Sequence, residues 1–137
     1  MATFALLDAV ITINSVDLSD FATSVTLSIE VDEQEDTAFG DTYRSRIGGL
    51  KDYTLDIEWN QDFAAGAVDA TLWPLLGTVT TWSVKATSDA TAATNPLYSG
   101  SVLVNQYTAL DGAVGDKASL STSWPGAVGT GVTRSTS

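Results

Sequence analysis

Two runs of strict two-residue alternation set the limits on what this chain can fold into. Ser24 to Asp32 reads Ser-Val-Thr-Leu-Ser-Ile-Glu-Val-Asp, so Val25, Leu27, Ile29 and Val31 share one face. Thr26, Ser28, Glu30 and Asp32 share the other. Tyr53 to Asn60 repeats the pattern, with Tyr53, Leu55, Ile57 and Trp59 opposed to Thr54, Asp56, Glu58 and Asn60. Successive side chains of a strand point to opposite sides, so each run describes a strand with one buried and one wet face. That combination belongs to antiparallel sheets.

The same period recurs more weakly. Trp82, Val84 and Ala86 alternate with Thr81, Ser83 and Lys85; Val102 and Val104 alternate with Ser101, Leu103 and Asn105. Ala118, Leu120 and Thr122 lead to Trp124, and Val10 to Ile13 meets Val16 to Leu18 across an Asn14-Ser15 turn. One segment differs. In Ala67 to Leu76, Val68, Leu72, Leu75 and Leu76 recur at helical spacing, with Gly77 as a stop and Pro74 as a kink. So short a helix must pack its leucines on a sheet to persist. The reading is therefore mainly β: six or seven strands in two packed antiparallel sheets, a β-sandwich or flattened barrel. One short helix near 67–76 flanks it, and a long connection spans 33–49. Residues 1–126 form one domain, and 127–137, rich in Gly, Thr and Ser, read as a flexible C-terminal tail.

Composition removes several function classes. The 137 residues hold no Cys and no His. Disulfides, Cys- or His-based zinc sites, and Ser-His-Asp or Cys-His hydrolase sites are thereby excluded. The net charge of −11, from 17 acidic and 6 basic residues, argues against gripping nucleic acid, because phosphate binding runs on Lys and Arg. It does not argue against nucleic acid passing nearby. Met1 to Leu7 lacks a basic leader and is interrupted by Asp8, so no secretory signal is expected. The longest uncharged run, Ala90 to Leu110, is too polar for a membrane span.

Three chemical constellations stand out in the sequence. Glu33, Glu35 and Asp36 lack the spacing and the glycine of a calcium loop, so no metal or cofactor is expected. Asp56 and Glu58 could serve as a glycosidase pair, but acids on the wet face of a strand are ordinary, and no enzyme activity is expected. Trp59, Trp73, Trp82 and Trp124 could form a carbohydrate platform, though most sit where core residues belong. The 33–49 connection is more informative. Glu33, Glu35 and Asp36 precede Arg44 and Arg46, with Phe39, Tyr43 and Ile47 between and beyond them. Acid-first, base-second order suits a head-to-tail contact with a second copy, anchored by the apolar residues. This loop is the candidate inter-subunit contact.

From residue 8 to 126 the chain resembles the tail tube (major tail) proteins of long-tailed bacteriophages. The resemblance is carried by Val16-Asp17-Leu18-Ser19-Asp20, Thr37-Ala38-Phe39-Gly40-Asp41, Gly49-Leu50-Lys51-Asp52-Tyr53 and Gln61-Asp62-Phe63. Asp69 to Leu76, Asn95-Pro96, Tyr98-Ser99-Gly100 and Trp124-Pro125-Gly126 continue it in order. It implies a β-sandwich or barrel with one flanking helix, in a virion subunit made in the bacterial host cytoplasm. Its partners would be itself, in hexameric rings stacked into a tube, with the tape-measure protein and tail-end proteins. DNA would pass through without specific binding. Glu30, Asp32, Asp56 and Glu58 are then the candidate lumen-facing acids, able to keep DNA sliding by repulsion. The alternative is a minor tail protein or a carbohydrate-binding β-sandwich at a virion tip.

Overall fold

The computed structural model describes residues 3–127 and 131–137. The elements run β1 (Val10–Ile13), β2 (Val16–Asp17), β3 (Ala22–Glu35), β4 (Arg46–Asn60), α1 (Val68–Leu72), β5 (Val79–Lys85), β6 (Leu97–Leu103), β7 (Ser119–Pro125) and β8 (Thr133–Ser135). They form two antiparallel sheets, ordered β2-β1-β5-β6-β8 and β3-β4-β7. Asn14 and Ser15 both take positive φ between β1 and β2, the twist a two-residue hairpin turn requires.

The core lies between the sheets. From the smaller sheet come Leu55, Ile57 and Trp59 of β4 with Leu120 and Trp124 of β7. From the larger come Ile11, Ile13, Trp82, Val84 and Val102, and α1 adds Val68 and Leu72. Buried Trp59 donates its indole N–H to Thr122 Oγ1 at 3.0 Å, and Thr122 Oγ1 donates to the Ile57 carbonyl at 3.3 Å. A threonine at an inward position thus satisfies a tryptophan that would otherwise bury an unpaired donor. Tyr53 spans the sheets: its hydroxyl donates to the Ser101 carbonyl, and its ring lies 5.8 Å from that of Trp82. Glycine clears the space for it. A Cβ on Gly126 would collide with the Tyr53 ring, and one on Gly100 would lie 2.9 Å from its hydroxyl.

Several expectations are corrected in detail. Residues 33–35 and 46–49, expected within a loop, belong to β3 and β4, leaving only 36–45 as the connection. Both faces of those strand ends are exposed, so no alternation marks them. The register also slips: between the pairs Val31–Lys51 and Glu33–Gly48, Asp32 alone lies opposite Gly49 and Leu50, a bulge in β4. The helix is α-helical only to Leu72 and continues as a single 3-10 turn, Trp73–Leu75, around Pro74. Leu76 leaves the helix in an extended conformation, losing the phase of the stripe, and is 41% exposed instead of packed. Strand β6 begins at Leu97, earlier than the Val102 pattern suggested, because its first half pairs through Ser99, Gly100 and Ser101. Within the expected C-terminal tail, Thr133–Ser135 pairs with β6 as strand β8; residues 128–130 of that tail lie outside the described residues.

A polar clamp closes the end of the sandwich near α1. Gln61 Nε2 donates to the Ala109 carbonyl at 2.6 Å and to Tyr107 Oη at 3.0 Å. Tyr107 Oη donates to Asp69 Oδ1 at 2.6 Å, and its ring meets Trp73 edge-on. Partial burial, then the bond to Asp69, push the Tyr107 hydroxyl up to about 12.

Two outcomes follow from this packing. Trp59→Ala costs about 3–5 kcal/mol of stability, read from urea unfolding. Tyr107 is harder to ionise folded than unfolded, so its contribution is complete below pH 10 and disappears as pH rises from 10 toward 12. Tyr107→Phe therefore shows a shallower loss of melting temperature than the parent chain across that window.

Candidate functional site

Strand β4 presents the candidate acids because its inner face is committed to the core. Its partners are set by register: Ser24 faces Glu58, Thr26 faces Asp56, Ser28 faces Thr54 and Glu30 faces Asp52 on β3. Ser123 faces Asp56, Ser121 faces Glu58 and Ser119 faces Asn60 on β7. Residues paired across strands point the same way. Among the described residues, the paired positions on the outer face of the three-stranded sheet are therefore Ser, Thr, Asn and acids from Ser24 to Glu30 and Asp52 to Asn60, with no basic side chain. Lys51 is paired with Val31, which places it on the opposite side.

Of the four acids picked from the sequence, Glu30, Asp56 and Glu58 lie on this face by register, and Asp32 stands at the bulge without a register partner. Asp52, opposite Glu30, joins them, since the alternation through Tyr53 extends back one residue to include it. The serines of β7 carry no such signal in the sequence, since only the register brings them beside Asp56 and Glu58. Ser24, Thr26, Asp56, Glu58, Ser121 and Ser123 line a shallow polar trough of about 320 Å³. Asp56 Oδ1 is shielded there without a hydrogen-bond partner among the described residues. Glu30 opposite Asp52 is a like-charge cross-strand pair, which costs stability in the single chain.

The second feature is an arm. Strand β7 pairs with β4 only from Thr54 to Asn60, and the Tyr53 carbonyl takes the Gly126 N–H at 2.9 Å, so beyond that point Glu30–Glu35 and Arg46–Asp52 are in register only with each other. At 3.3 Å per residue this two-stranded ribbon projects by about 20 Å. The tip is ordered by its own bonds: Asp36 N–H to the Ser45 carbonyl at 2.9 Å, Ser45 N–H to Thr37 Oγ1 at 2.8 Å, and Ala38 N–H to Asp41 Oδ2 at 2.8 Å. With its backbone occupied locally, the tip turns Phe39 and Tyr43 fully outward; Ile47 and Leu50 are exposed farther down.

All eight residues of the candidate contact loop lie on this arm, although Glu33, Glu35, Arg46 and Ile47 stand on strands instead of in a loop. The acid-then-base order has a structural outcome the sequence did not disclose. Arg44 lies 3.9 Å from Glu35, and Arg46 lies 3.9 Å from Glu33. The hairpin folds acid against base within one chain, so the charge order serves the arm itself. Both pairs are open to solvent, where such contacts contribute about 0–1 kcal/mol. Three of the four tryptophans, Trp59, Trp82 and Trp124, are buried, and Trp73 is exposed.

No protein-family model matches the sequence, and no curated protein matches it. The fold, in contrast, has clear counterparts. It is similar to a chain in the virion of a native gene transfer agent particle, with a TM-score of 0.75 and 12% identity, over 93% of this chain and 95% of that one. It is also similar to a chain in the tail of an empty gene transfer agent particle with C6 symmetry, with a TM-score of 0.64 and 13% identity, over 85% and 82% of the two chains. Both likenesses span the sandwich as a whole, and both are likenesses of fold.

The like-charge pair gives a direct check. Glu30→Lys converts it to an attractive one and raises stability by a few tenths to about 1 kcal/mol in low salt. The gain shrinks as added salt screens the exposed pair.

Proposed function

We propose that this chain is a structural, non-catalytic subunit of a phage-like tail tube. In this reading it assembles as hexameric rings that stack around an acidic lumen and conduct DNA. The observation that carries the reading is the outer face of the β3-β4-β7 sheet. It is a continuous polar surface of carboxylates, hydroxyls and amide without a cation. A wall of this kind offers phosphate no counterion-releasing contact, so DNA slides past without stopping. The tape-measure protein would occupy the same lumen before DNA does.

The likeness to tail and virion chains supports the reading at the level of fold, and the C6 symmetry of one of those tails supports sixfold rings. The edge of the sheet supplies a route to such rings. Strand β3 is an outer strand, and its far edge carries unpaired backbone N–H and C=O groups along 14 residues. An edge this long is a template for another strand. Joining sheet to sheet would continue the acidic face from copy to copy around a ring. The like-charge cost at Glu30 and Asp52 is then accepted for the surface it creates.

Negative-stain images of the purified chain should show rings or tubes. In those assemblies, a Glu58→Cys variant is shielded from a bulky polyethylene-glycol maleimide that labels it in the monomer. A Thr81→Cys variant, exposed on the other sheet, is labelled in both states. Equal labelling of Glu58→Cys in tubes and monomers would place the acidic face outside and defeat the lumen assignment.

A further inference from the structure

The two edges of the three-stranded sheet are finished differently. Strand β7 ends the sheet on the side opposite β3. Two backbone bonds bracket its ladder with β4: Gly126 N–H to the Tyr53 carbonyl at 2.9 Å, and Gln61 N–H to the Ala118 carbonyl at 3.1 Å. They mark Thr54–Pro125 and Asn60–Ser119 as non-hydrogen-bonded pairs. The two kinds of pair alternate, so Asp56–Ser123 and Glu58–Ser121 are of the same kind. Ser119, Ser121 and Ser123 therefore turn their backbone N–H and C=O away from β4, toward the free edge.

One of those groups is occupied. Gln106 Nε2 donates to the Ser123 carbonyl at 2.9 Å. The root of that side chain is fixed by the core, because the Gln106 carbonyl accepts the indole N–H of buried Trp124 at 3.1 Å. From there the amide reaches the trough that holds Asp56 and Glu58. Gln106 is exposed, so its bond to Ser123 competes with water.

The β3 edge is the complement. Strand β4 spends the N–H and C=O of its odd-numbered residues on β7, so its even-numbered ones face β3. Ser24–Glu58, Thr26–Asp56 and Ser28–Thr54 are then the hydrogen-bonded pairs, and Val25, Leu27 and Ile29 aim their backbone outward. Both strands turn apolar residues inward, Val25 and Leu27 on one, Leu120 and Trp124 on the other. Charge agrees as well. Strand β3 carries Glu30, Asp32, Glu33 and Glu35, whereas β7, Ser-Leu-Ser-Thr-Ser-Trp-Pro, carries none. Pairing β3 with β7 avoids the like-charge contacts that β3 would meet against a second β3. Direction follows from symmetry. Strands β3 and β7 both run antiparallel to β4, so they run the same way. Rotation about a ring axis keeps a strand's direction along that axis, and β3 of the next copy meets β7 in parallel.

We propose that Gln106 is a latch on the β7 edge. It holds the Ser123 carbonyl in the single chain and must swing away before strand β3 of a second copy can pair there. The proposal rests on the tail-subunit reading above and adds the acceptor strand, its parallel sense and the residue that regulates the joint. A single exposed bond costs little to release, but a closed ring requires a release at every joint. The latch thus raises the concentration at which rings close.

Gln106→Ala removes the competing bond and should strengthen each joint about two- to tenfold, the net worth of one hydrogen bond. Sedimentation reads this as assembly at lower protein concentration. Gln106→Asn, whose amide is one methylene too short to reach, should behave alike. Unchanged or weaker assembly in either variant, with the monomer's melting temperature retained, overturns the latch. Hydrogen exchange on the parent chain tests the joint without a substitution. The Ser121 and Ser123 amides should exchange quickly in the monomer and slowly in tubes, while Thr122, bonded to β4, is slow in both. Tubes in which Ser121 and Ser123 stay fast overturn the β7 joint and leave the tail-subunit reading standing. A chain that stays monomeric at every concentration overturns both.

Discussion

Everything in this structure depends on strand β4 serving two solvents at once. Its inner face seats Leu55, Ile57 and Trp59 in the core, and each is almost fully buried. That commitment leaves Thr54, Asp56, Glu58 and Asn60 no choice but the outer face. A one-residue slip would exchange the two sets, placing carboxylates in an apolar core and the indole in water. The energy that fixes the core is therefore the same energy that fixes the acidic surface. The Trp59–Thr122–Ile57 hydrogen-bond relay locks β7 into the same register and adds its serines to that surface.

Beyond Tyr53 the two-solvent logic ends. The opposing sheet no longer covers the hairpin, and β3 and β4 continue as a free ribbon with apolar residues on display. Such a ribbon is marginal in water without a partner. Its local ion pairs and tip hydrogen bonds give it a definite shape, but they supply little stability. Phe39, Tyr43, Ile47 and Leu50 stand exposed along it.

Much of the fold was legible because β-strands declare themselves when their faces meet different environments. The central runs of β3 and β4 lay in plain view, and with them Glu30, Asp32, Asp56 and Glu58. The distal halves of the same strands did not, since two wet faces leave no period and a bulge resets the phase at Gly49-Leu50. The first half of β6 was hidden because Ser99, Gly100 and Ser101 give no apolar alternation, and Gly100 leaves room for the Tyr53 hydroxyl. The clamp was hidden because Gln61, Asp69 and Tyr107 are unremarkable singly.

The sequence by itself determined the class of the protein. A chain with no Cys, no His and a charge of −11 has no ordinary thiol, imidazole or phosphate-gripping chemistry to offer, and its alternation demands antiparallel sheets. It also determined that the acids share faces, because side-chain alternation along a strand is a local property. Only the tertiary structure decided which strands stand side by side, and so that Asp52 and the β7 serines complete one cation-free face. Only the tertiary structure, too, set Arg44 and Arg46 against Glu35 and Glu33 within one arm. Register and partner choice come from burying Trp59, Leu55 and Trp124 together, and that is a contact between residues far apart in the chain.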